Sequence, residues 1–160
     1  MDYVNKYSQN GEEEHILHYL YAIGLKTGHL VDLGAGDGVT MSNTRALIER
    51  GWTGTLVDGD PKGAKDVHQA WIDVDWLRKS MSLWSDGACD FVNLDLDGND
   101  FWILRELLAG TKEKNRPSLI VCEINPVFQR DEAVVMPYNA EHVWQEDQYY
   151  GMSLAACEQL

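Results

Sequence analysis

The chain has 160 residues, and its 26 acidic side chains outnumber 13 basic ones, which gives a formal net charge of −13. Such a surface repels phosphate groups, which argues against nucleic acids and anionic membranes as partners. No apolar run approaches the roughly 20 residues that span a bilayer, no signal pattern opens the chain, and the three cysteines lack metal or disulfide spacing, so we expect one cytoplasmic domain, residues 1–160.

The apolar spacing and the glycine and proline breaks predict one helix followed by alternating strands and helices. The predicted helices cover residues 12–23, 39–50, 62–70, 101–108 and 152–160, with an amphipathic segment at 76–84. The predicted strands cover residues 29–33, 53–57, 71–74, 90–94 and 118–124. The last of these strands is almost wholly apolar and contains Cys122, which predicts a central parallel strand with a buried free thiol.

This alternation predicts an α/β fold of the Rossmann-like, doubly wound type, with a mostly parallel sheet and helices on both faces. Ligands of such sheets bind outside the carboxyl ends of the strands. The glycine-rich and acidic clusters of this sequence follow the ends of predicted strands. We therefore expect these clusters to form the binding site.

The strongest motif is the glycine loop after the first predicted strand, which consists of Gly34, Ala35, Gly36, Asp37 and Gly38. Glycines allow a sharp turn and let a ligand lie directly against peptide groups. The spacing differs from the G-x-G-x-x-G of dinucleotide sites, and no lysine follows it as in a P-loop. The motif thus predicts a small-ligand cradle that is not built for phosphates.

Asp32 lies two positions before this loop and indicates which ligand the loop holds. A carboxylate at that point is unfavourable beside phosphates, whereas it suits an ammonium or a sulfonium. We therefore predict S-adenosylmethionine, which carries both positive groups, as the ligand. The alternative is an ordinary glycine-rich turn between a strand and a helix.

Acidic residues after the second and third predicted strands extend the expected site. Asp58, followed by Gly59 and Asp60, could accept hydrogen bonds from both ribose hydroxyls, with Asp60 as the substitute for Asp58. Asp73 and Asp75 could accept one from the adenine amino group, although a surface turn is the simpler interpretation of either residue.

A group of polar side chains follows the fourth predicted strand and another follows the fifth. Asp95 and Asp97 belong to the first group and Glu123 to the second. Because these strands are expected to be neighbours, their carboxylates should converge, where they must be protonated, hydrogen-bonded or metal-bound. Mg²⁺ or Mn²⁺ would suit such oxygens, but we favour a site without metal. Asp97 and Glu123 are the candidate catalytic groups.

Taken together, these motifs resemble class I S-adenosylmethionine-dependent methyltransferases, and more narrowly the FkbM-type group. The segments that carry the resemblance are residues 7–12, 31–38, 42–44, 51–54, 93–102, 123–126 and 149–154. The resemblance implies that Asp32, Gly34, Gly36 and Asp58 hold the methyl donor, with Asp95 and Asp97 near its methionine end.

Two departures from the family pattern affect what we expect. The stretch between residues 60 and 90 is shorter than the pattern, which leaves the adenine contacts open. The sequence also ends where the last two strands of the family's sheet would follow, so an open sheet edge should be covered by a homo-oligomer or another partner.

The resulting functional prediction is methyl transfer from S-adenosylmethionine to an oxygen, or less readily a nitrogen, of a small-molecule or sugar-containing acceptor. The first alternative is a catalytically inactive or partner-dependent module that keeps the fold and binds the donor. The second, a nicotinamide-dependent oxidoreductase, is disfavoured by the glycine spacing and by Val39 at the third small position.

Overall fold

The computed structural model describes residues 5–80 and 89–160, which form an α/β fold. Its helices are α1 (Glu12–Ala22), α2 (Arg45–Ile48), α3 (Val74–Lys79), α4 (Asp100–Gly110) and α5 (Leu154–Cys157), with a 3-10 turn at Glu113–Asn115. Its strands are β1 (His29–Leu33), β2 (Thr53–Asp58), β3 (Val67–Gln69), β4 (Phe91–Leu94) and β5 (Leu119–Cys122).

The five strands form a single sheet in the order β3-β2-β1-β4-β5, and each neighbouring pair is parallel. The chain moves outward from β1 through β2 to β3, then returns to the other side of β1 with β4. The carboxyl ends of β1 and β4 therefore flank the point at which the connections change direction. In this register Asp32 on β1 lies opposite Asn93 on β4.

Successive side chains of the strands face two apolar cores, one on each side of the sheet. On one side, Leu30 and Phe91 pack with apolar residues of α1 and α2. On the other side, Val31 and Val92 pack with residues of α3, α4 and α5. The predicted α/β class, parallel sheet and helices on both faces are thereby confirmed.

The prediction was wrong between the second and fourth strands. Residues 62–70 do not form a helix, because Lys62 and Gly63 adopt positive φ angles of 50° and 82°. The third strand is Val67–Gln69 instead of residues 71–74, and Val74 already begins α3. Three residues are too few to show strand periodicity, and the burial of Val67 against the neighbouring core fixes this strand. Residues 81–84 of the predicted amphipathic segment lie outside the described residues.

Two further elements differ from the prediction in extent or position. The helix expected at 39–50 is reduced to α2, because Met41 has a φ of 54° and Ser42 accepts a hydrogen bond from the backbone N–H of Arg45. β5, expected at the centre of the sheet, pairs only with β4 within the described chain and is half-buried. An apolar run therefore marked a strand correctly but did not reveal its edge position.

Residues 126–150, hereafter the covering segment, follow β5 and hold no helix in the described structure. The indole N–H of Trp102 donates to the Met136 carbonyl at 2.8 Å, and that of Trp71 donates to the Ala140 carbonyl at 2.5 Å. Trp102 belongs to α4, whereas Trp71 follows β3. The segment therefore crosses the carboxyl ends of the strands, from α4 to the chain that follows β3.

Within residues 5–80 and 89–160, none of the helices combines the length and the apolar character that crossing a membrane requires.

Candidate functional site

The glycine loop is held tightly between β2 and β4. The backbone N–H groups of Gly34 and Ala35 both donate to the Val57 carbonyl, at 3.0 and 3.1 Å. Gly34 has a φ of 88°, and a Cβ atom on it would lie 1.6 Å from the carbonyl oxygen of Asp95. Only glycine allows β1 and β4 to approach this closely at their carboxyl ends.

Gly36, two residues further on, lies in open space. Its φ is 55°, and no heavy atom lies within 4 Å of the position a Cβ would take. Its backbone N–H donates to an Asp58 oxygen at 2.8 Å. The loop thus presents an unobstructed backbone surface while a carboxylate at the end of β2 fixes its shape.

Asp37 stabilises the turn that follows. Its carboxylate accepts hydrogen bonds from the backbone N–H groups of Val39 and Thr40, at 2.8 and 2.6 Å, and from the Thr40 hydroxyl at 2.7 Å. These hydrogen bonds, those from Thr40 foremost, hold the pKa of Asp37 below its usual range. Asp37 was predicted to contact the ligand, and the structure gives it a role in shaping the loop.

Asp32 is almost completely buried beneath the loop and is fully hydrogen-bonded within the fold. It accepts from the Thr44 hydroxyl at 2.5 Å and from the Asn93 side chain at 2.9 Å. Burial raises the pKa of the Asp32 carboxyl, although these two hydrogen bonds oppose that shift. Asn43 extends the network by donating to Asn93 at 3.1 Å. A buried carboxyl group with fixed hydrogen-bond partners therefore lies at the base of the site.

A pocket of about 100 Å³ lies at the carboxyl ends of β1 and β4. Its lining residues are Asp32, Gly34, Ala35, Gly36, Thr40, Met41, Ser42, Asn43, Asn93 and Asp95. Ligand pockets usually enclose about 300–1,000 Å³, so this one can enclose only part of a nucleoside-sized ligand. The remainder would have to lie along the open surface beside Gly36.

Asp58 and its neighbours lie beside this surface. One Asp58 oxygen accepts from Gly36 and the other from the backbone N–H of Asp60, at 2.7 Å. Each oxygen keeps a second lone pair for a ligand hydroxyl. Gly59 packs against the ring of Trp71, since a Cβ added to Gly59 would lie 2.9 Å from a ring atom. Asp60 is exposed. The sequence analysis did not identify this half-exposed indole beside the predicted ribose site.

Asp73 and Asp75 have structural partners at the start of α3. Asp73 is the N-cap residue, and its carboxylate accepts from the backbone N–H of Trp76 at 2.6 Å. Asp75 is exposed, 3.9 Å from Arg78. Helix capping explains Asp73 without a ligand, although its second oxygen has the capacity to accept a further bond.

The predicted convergence of carboxylates at the ends of β4 and β5 is present. Carboxylate oxygens of Asp95, Asp97 and Glu123 lie within 4.8 Å of one another. We call these three residues the acidic cluster. Such an arrangement of oxygens could hold Mg²⁺ or Mn²⁺. Without a cation, burial and mutual repulsion must be relieved by protonation.

Protonation is the form that the surroundings of Glu123 favour. Its Oε2 atom is buried and has no hydrogen-bond partner in the described structure. Burial, then the charges of nearby aspartates, raises the pKa of Glu123 and that of Asp95. The pKa of Glu123 rises to about 9 and that of Asp95 to about 7, so Glu123 is the member of the pair that holds a proton at neutral pH. Burial also raises the pKa of Asp97.

The remaining polar residues near the cluster stabilise loops. Asp100 is completely buried and accepts from the backbone N–H groups of Leu96 and Gly98, at 2.8 and 2.9 Å. Asn125 donates to the carbonyls of Gln148 and Tyr150, both at 3.0 Å. Asp100 thus shapes the loop after β4, and Asn125 attaches the end of the covering segment to β5.

The sequence analysis did not place a histidine near the ends of the strands, and the structure brings one there. His142, in the covering segment, lies against Gly98, where a Cβ would be 2.4 Å from its ring. Its Nε2 atom is buried without a hydrogen-bond partner among the described residues. The ring also contacts Tyr149, with centroids 6.1 Å apart. The polar loop around residue 142 showed no periodicity from which this contact could be predicted.

Comparisons of the chain with protein-family models, with curated proteins and with solved structures find no match. The function is therefore inferred from the geometry of the site.

Proposed function

We propose that this protein binds S-adenosylmethionine at the carboxyl ends of β1 and β4 and transfers its methyl group to an oxygen of a small-molecule or sugar-containing acceptor. The observation that carries this proposal is the chemistry of the pocket lining. It combines an open glycine backbone with Asp32 and Asp95 and includes no lysine or arginine. A lining of this kind suits a ligand with an ammonium and a sulfonium and is unfavourable for a pyrophosphate.

The topology supports a nucleoside ligand at this position. The strand order β3-β2-β1-β4-β5 is the order of the first five strands of Rossmann-type, doubly wound sheets. In those sheets, ligands bind where the strand order reverses, which here lies between β1 and β4. The pocket occupies this point. The resemblance of the sequence motifs to FkbM-type methyltransferases favours the same ligand.

The pocket and the hydrogen bonds of the site residues indicate how the donor would be oriented. Its methionine end would enter the pocket near Asp32 and Asp95, because the pocket is the enclosed part of the site. The ribose would lie along Gly36 and reach the free lone pairs of Asp58. Asp60 remains the substitute for Asp58. Adenine contacts with Asp73 or Asp75 stay a prediction.

Asp97 is the better candidate for the general base of the two predicted catalytic residues. Burial and the nearby aspartates raise the pKa of Glu123 to about 9, whereas His142 opposes the rise that burial and Asp58 cause in the pKa of Asp97. A sulfonium is already electrophilic, so alignment of acceptor, methyl group and sulfur supplies much of the rate. A carboxylate that accepts the hydroxyl proton adds to it. Glu123, protonated beside Asp95, would then reduce the negative charge at the site.

A metal is not required by this arrangement. A proton on Glu123 relieves the repulsion within the acidic cluster that would otherwise call for a cation. Coordination of Mg²⁺ or Mn²⁺ by the acidic cluster is the alternative.

The second candidate function is a donor-binding module without transfer activity. The small enclosed volume favours it, because an acceptor pocket is not closed off in the described structure. The half-buried β5 edge favours dependence on a second copy or another partner. Light scattering of the purified protein will give its oligomeric state.

Calorimetric titration tests the binding half of the proposal. The purified protein is titrated with S-adenosylmethionine, S-adenosylhomocysteine, NAD⁺ and ATP. We expect micromolar affinity for the first two ligands only. Binding of NAD⁺ alone would point to oxidoreductase chemistry, and the absence of binding by any ligand would contradict the proposal.

Transfer of a labelled methyl group separates the enzyme from the binding module. The protein is incubated with S-adenosylmethionine labelled on the methyl group and a pool of small hydroxylated and sugar-containing acceptors. Label in an acceptor, reduced at least tenfold in Asp97→Asn, supports the enzyme. Donor binding without any transfer across such pools supports the module.

A further inference from the structure

Two of the three cysteines are neighbours across the edge of the sheet. Cys122 is the last residue of β5 and Cys157 is the last residue of α5. Their Sγ atoms lie 3.7 Å apart, although 35 positions separate them in the chain. Both thiols are free and half-buried. The contact therefore belongs to the tertiary fold and is partly open to small reagents.

We propose that Cys122 and Cys157 form a reversible dithiol–disulfide site that small-molecule disulfides oxidise. A disulfide has an S–S length of about 2.05 Å, so the sulfur atoms must approach by less than about 2 Å. α5 is a four-residue helix, and the hydroxyl of its N-cap Ser153 accepts a hydrogen bond from the backbone N–H of Val134 in the covering segment. We expect the end of this short helix to move when the bond forms, while β5 keeps its place in the sheet. The inference does not depend on methyl transfer.

The reaction balances as two thiol–disulfide exchanges. The Cys157 thiolate attacks one sulfur of the small disulfide, forms a mixed disulfide and releases one small thiol. The Cys122 thiolate then attacks the Cys157 sulfur and releases the second small thiol. The protein loses two hydrogens, and the small disulfide is reduced to two thiols. Burial raises the pKa of Cys122, which makes it the poorer first nucleophile.

The consequence is a covalent link between β5 and α5 beside the acidic cluster. Glu123 directly follows Cys122, so the link fixes the strand end that carries it. A cross-link over 35 positions also restricts the unfolded chain. We expect oxidation to raise the melting temperature by roughly 5 °C or more, reversibly with a dithiol reductant.

The third cysteine provides a matched control. Cys89 is buried, and its thiol donates to the Phe91 carbonyl at 3.2 Å. Burial raises its pKa to about 12. Cys89 should therefore stay reduced while the pair is oxidised.

The test uses the full chain, oxidised glutathione and mass spectrometry after alkylation of free thiols. We expect a loss of about 2 Da, one alkylated thiol and a peptide map that links Cys122 to Cys157. Cys89→Ala should form the same internal link and show no alkylated thiol, whereas Cys122→Ser and Cys157→Ser should stop at a glutathione adduct or remain reduced. Stable adducts or intermolecular dimers of the unaltered protein, without the internal link, would overturn the proposal. So would a linked peptide that contains Cys89.

Discussion

The Asp58 carboxylate accepts a 2.8 Å hydrogen bond from the backbone N–H of Gly36. This bond joins the end of β2 to the middle of the glycine loop, 22 positions away in the chain. Asp58 therefore shapes the proposed donor site before any ligand binds. Its replacement should affect the fold as well as the affinity for a ligand.

Asp58→Ala should destabilise the protein by about 1–2 kcal/mol, because it removes the acceptor of two backbone hydrogen bonds. Urea unfolding at pH 7 measures the change. Asp60→Ala is the control, since Asp60 is exposed and its bond to the backbone N–H of Lys62 is 3.3 Å long. It should cost less than about 0.5 kcal/mol. Equal losses in the two variants would show that the Gly36 contact does not stabilise the loop.

Gly34→Ala should cost more than about 4 kcal/mol or prevent folding, because its Cβ would overlap the Asp95 carbonyl oxygen. Gly36→Ala should cost only about 1–2 kcal/mol, the strain of a left-handed backbone, since the space around it is open. Circular dichroism during thermal unfolding compares the two. A Gly34→Ala variant as stable as Gly36→Ala would contradict the close approach of β1 and β4.

Glu123→Gln should stabilise the protein at pH 8 and have little effect at pH 5. Burial, together with nearby aspartates, raises the pKa of Glu123 to about 9, whereas an unfolded glutamate has a pKa of about 4.3. Because the unfolded chain loses this proton first, the free energy of unfolding falls as the pH rises between these values. Glutamine removes the titration, so we expect a gain of about 1–3 kcal/mol at pH 8.

Urea unfolding at the two pH values measures this gain, and Glu141→Gln, at an exposed position of the covering segment, is the control. The control should follow the pH dependence of the unaltered protein. If Glu123→Gln does so too, the carboxyl group is not held in its protonated form.

Mn²⁺ should change the melting temperature by less than about 1 °C in protein freed of metal by a chelator. A cation that bound the folded state would raise it. We expect no such rise because Glu123 is protonated at neutral pH, its pKa being raised to about 9 by burial and the nearby aspartates. A rise of several degrees that Asp97→Asn abolishes would instead establish the acidic cluster as a metal site.

The sequence predicted those parts of the fold that depend on local pattern. β1, β2 and β4 were located to within a residue, because short apolar runs end in glycine or aspartate turns. The meeting of Asp95 and Glu123 followed from parallel neighbours, whose carboxyl ends share one edge. β3 was placed wrongly, because three residues carry too little periodicity.

The hydrogen-bond partners of Asp32 were not predictable. Thr44 lies 12 positions from Asp32 and Asn93 lies 61 positions from it, and nothing local to either residue shows that both bind this carboxylate. A polar residue inside the apolar strand at 90–94 was the available signal for Asn93. His142 lies in the irregular covering segment, and Trp71 donates to Ala140 of that segment, so no sequence pattern predicted either contact.

The most direct test of the donor site is the affinity for S-adenosylhomocysteine of Gly36→Ala compared with Gly24→Ala. Both glycines have a positive φ and open space around the would-be Cβ, so both variants bear similar backbone strain. Gly24 follows α1 and precedes β1, at the opposite end of the sheet. By calorimetry, Gly24→Ala should bind within about twofold of the unaltered protein, and Gly36→Ala at least about tenfold more weakly. Equal affinity in both variants, or no binding by the unaltered protein, would contradict a donor site on the glycine loop.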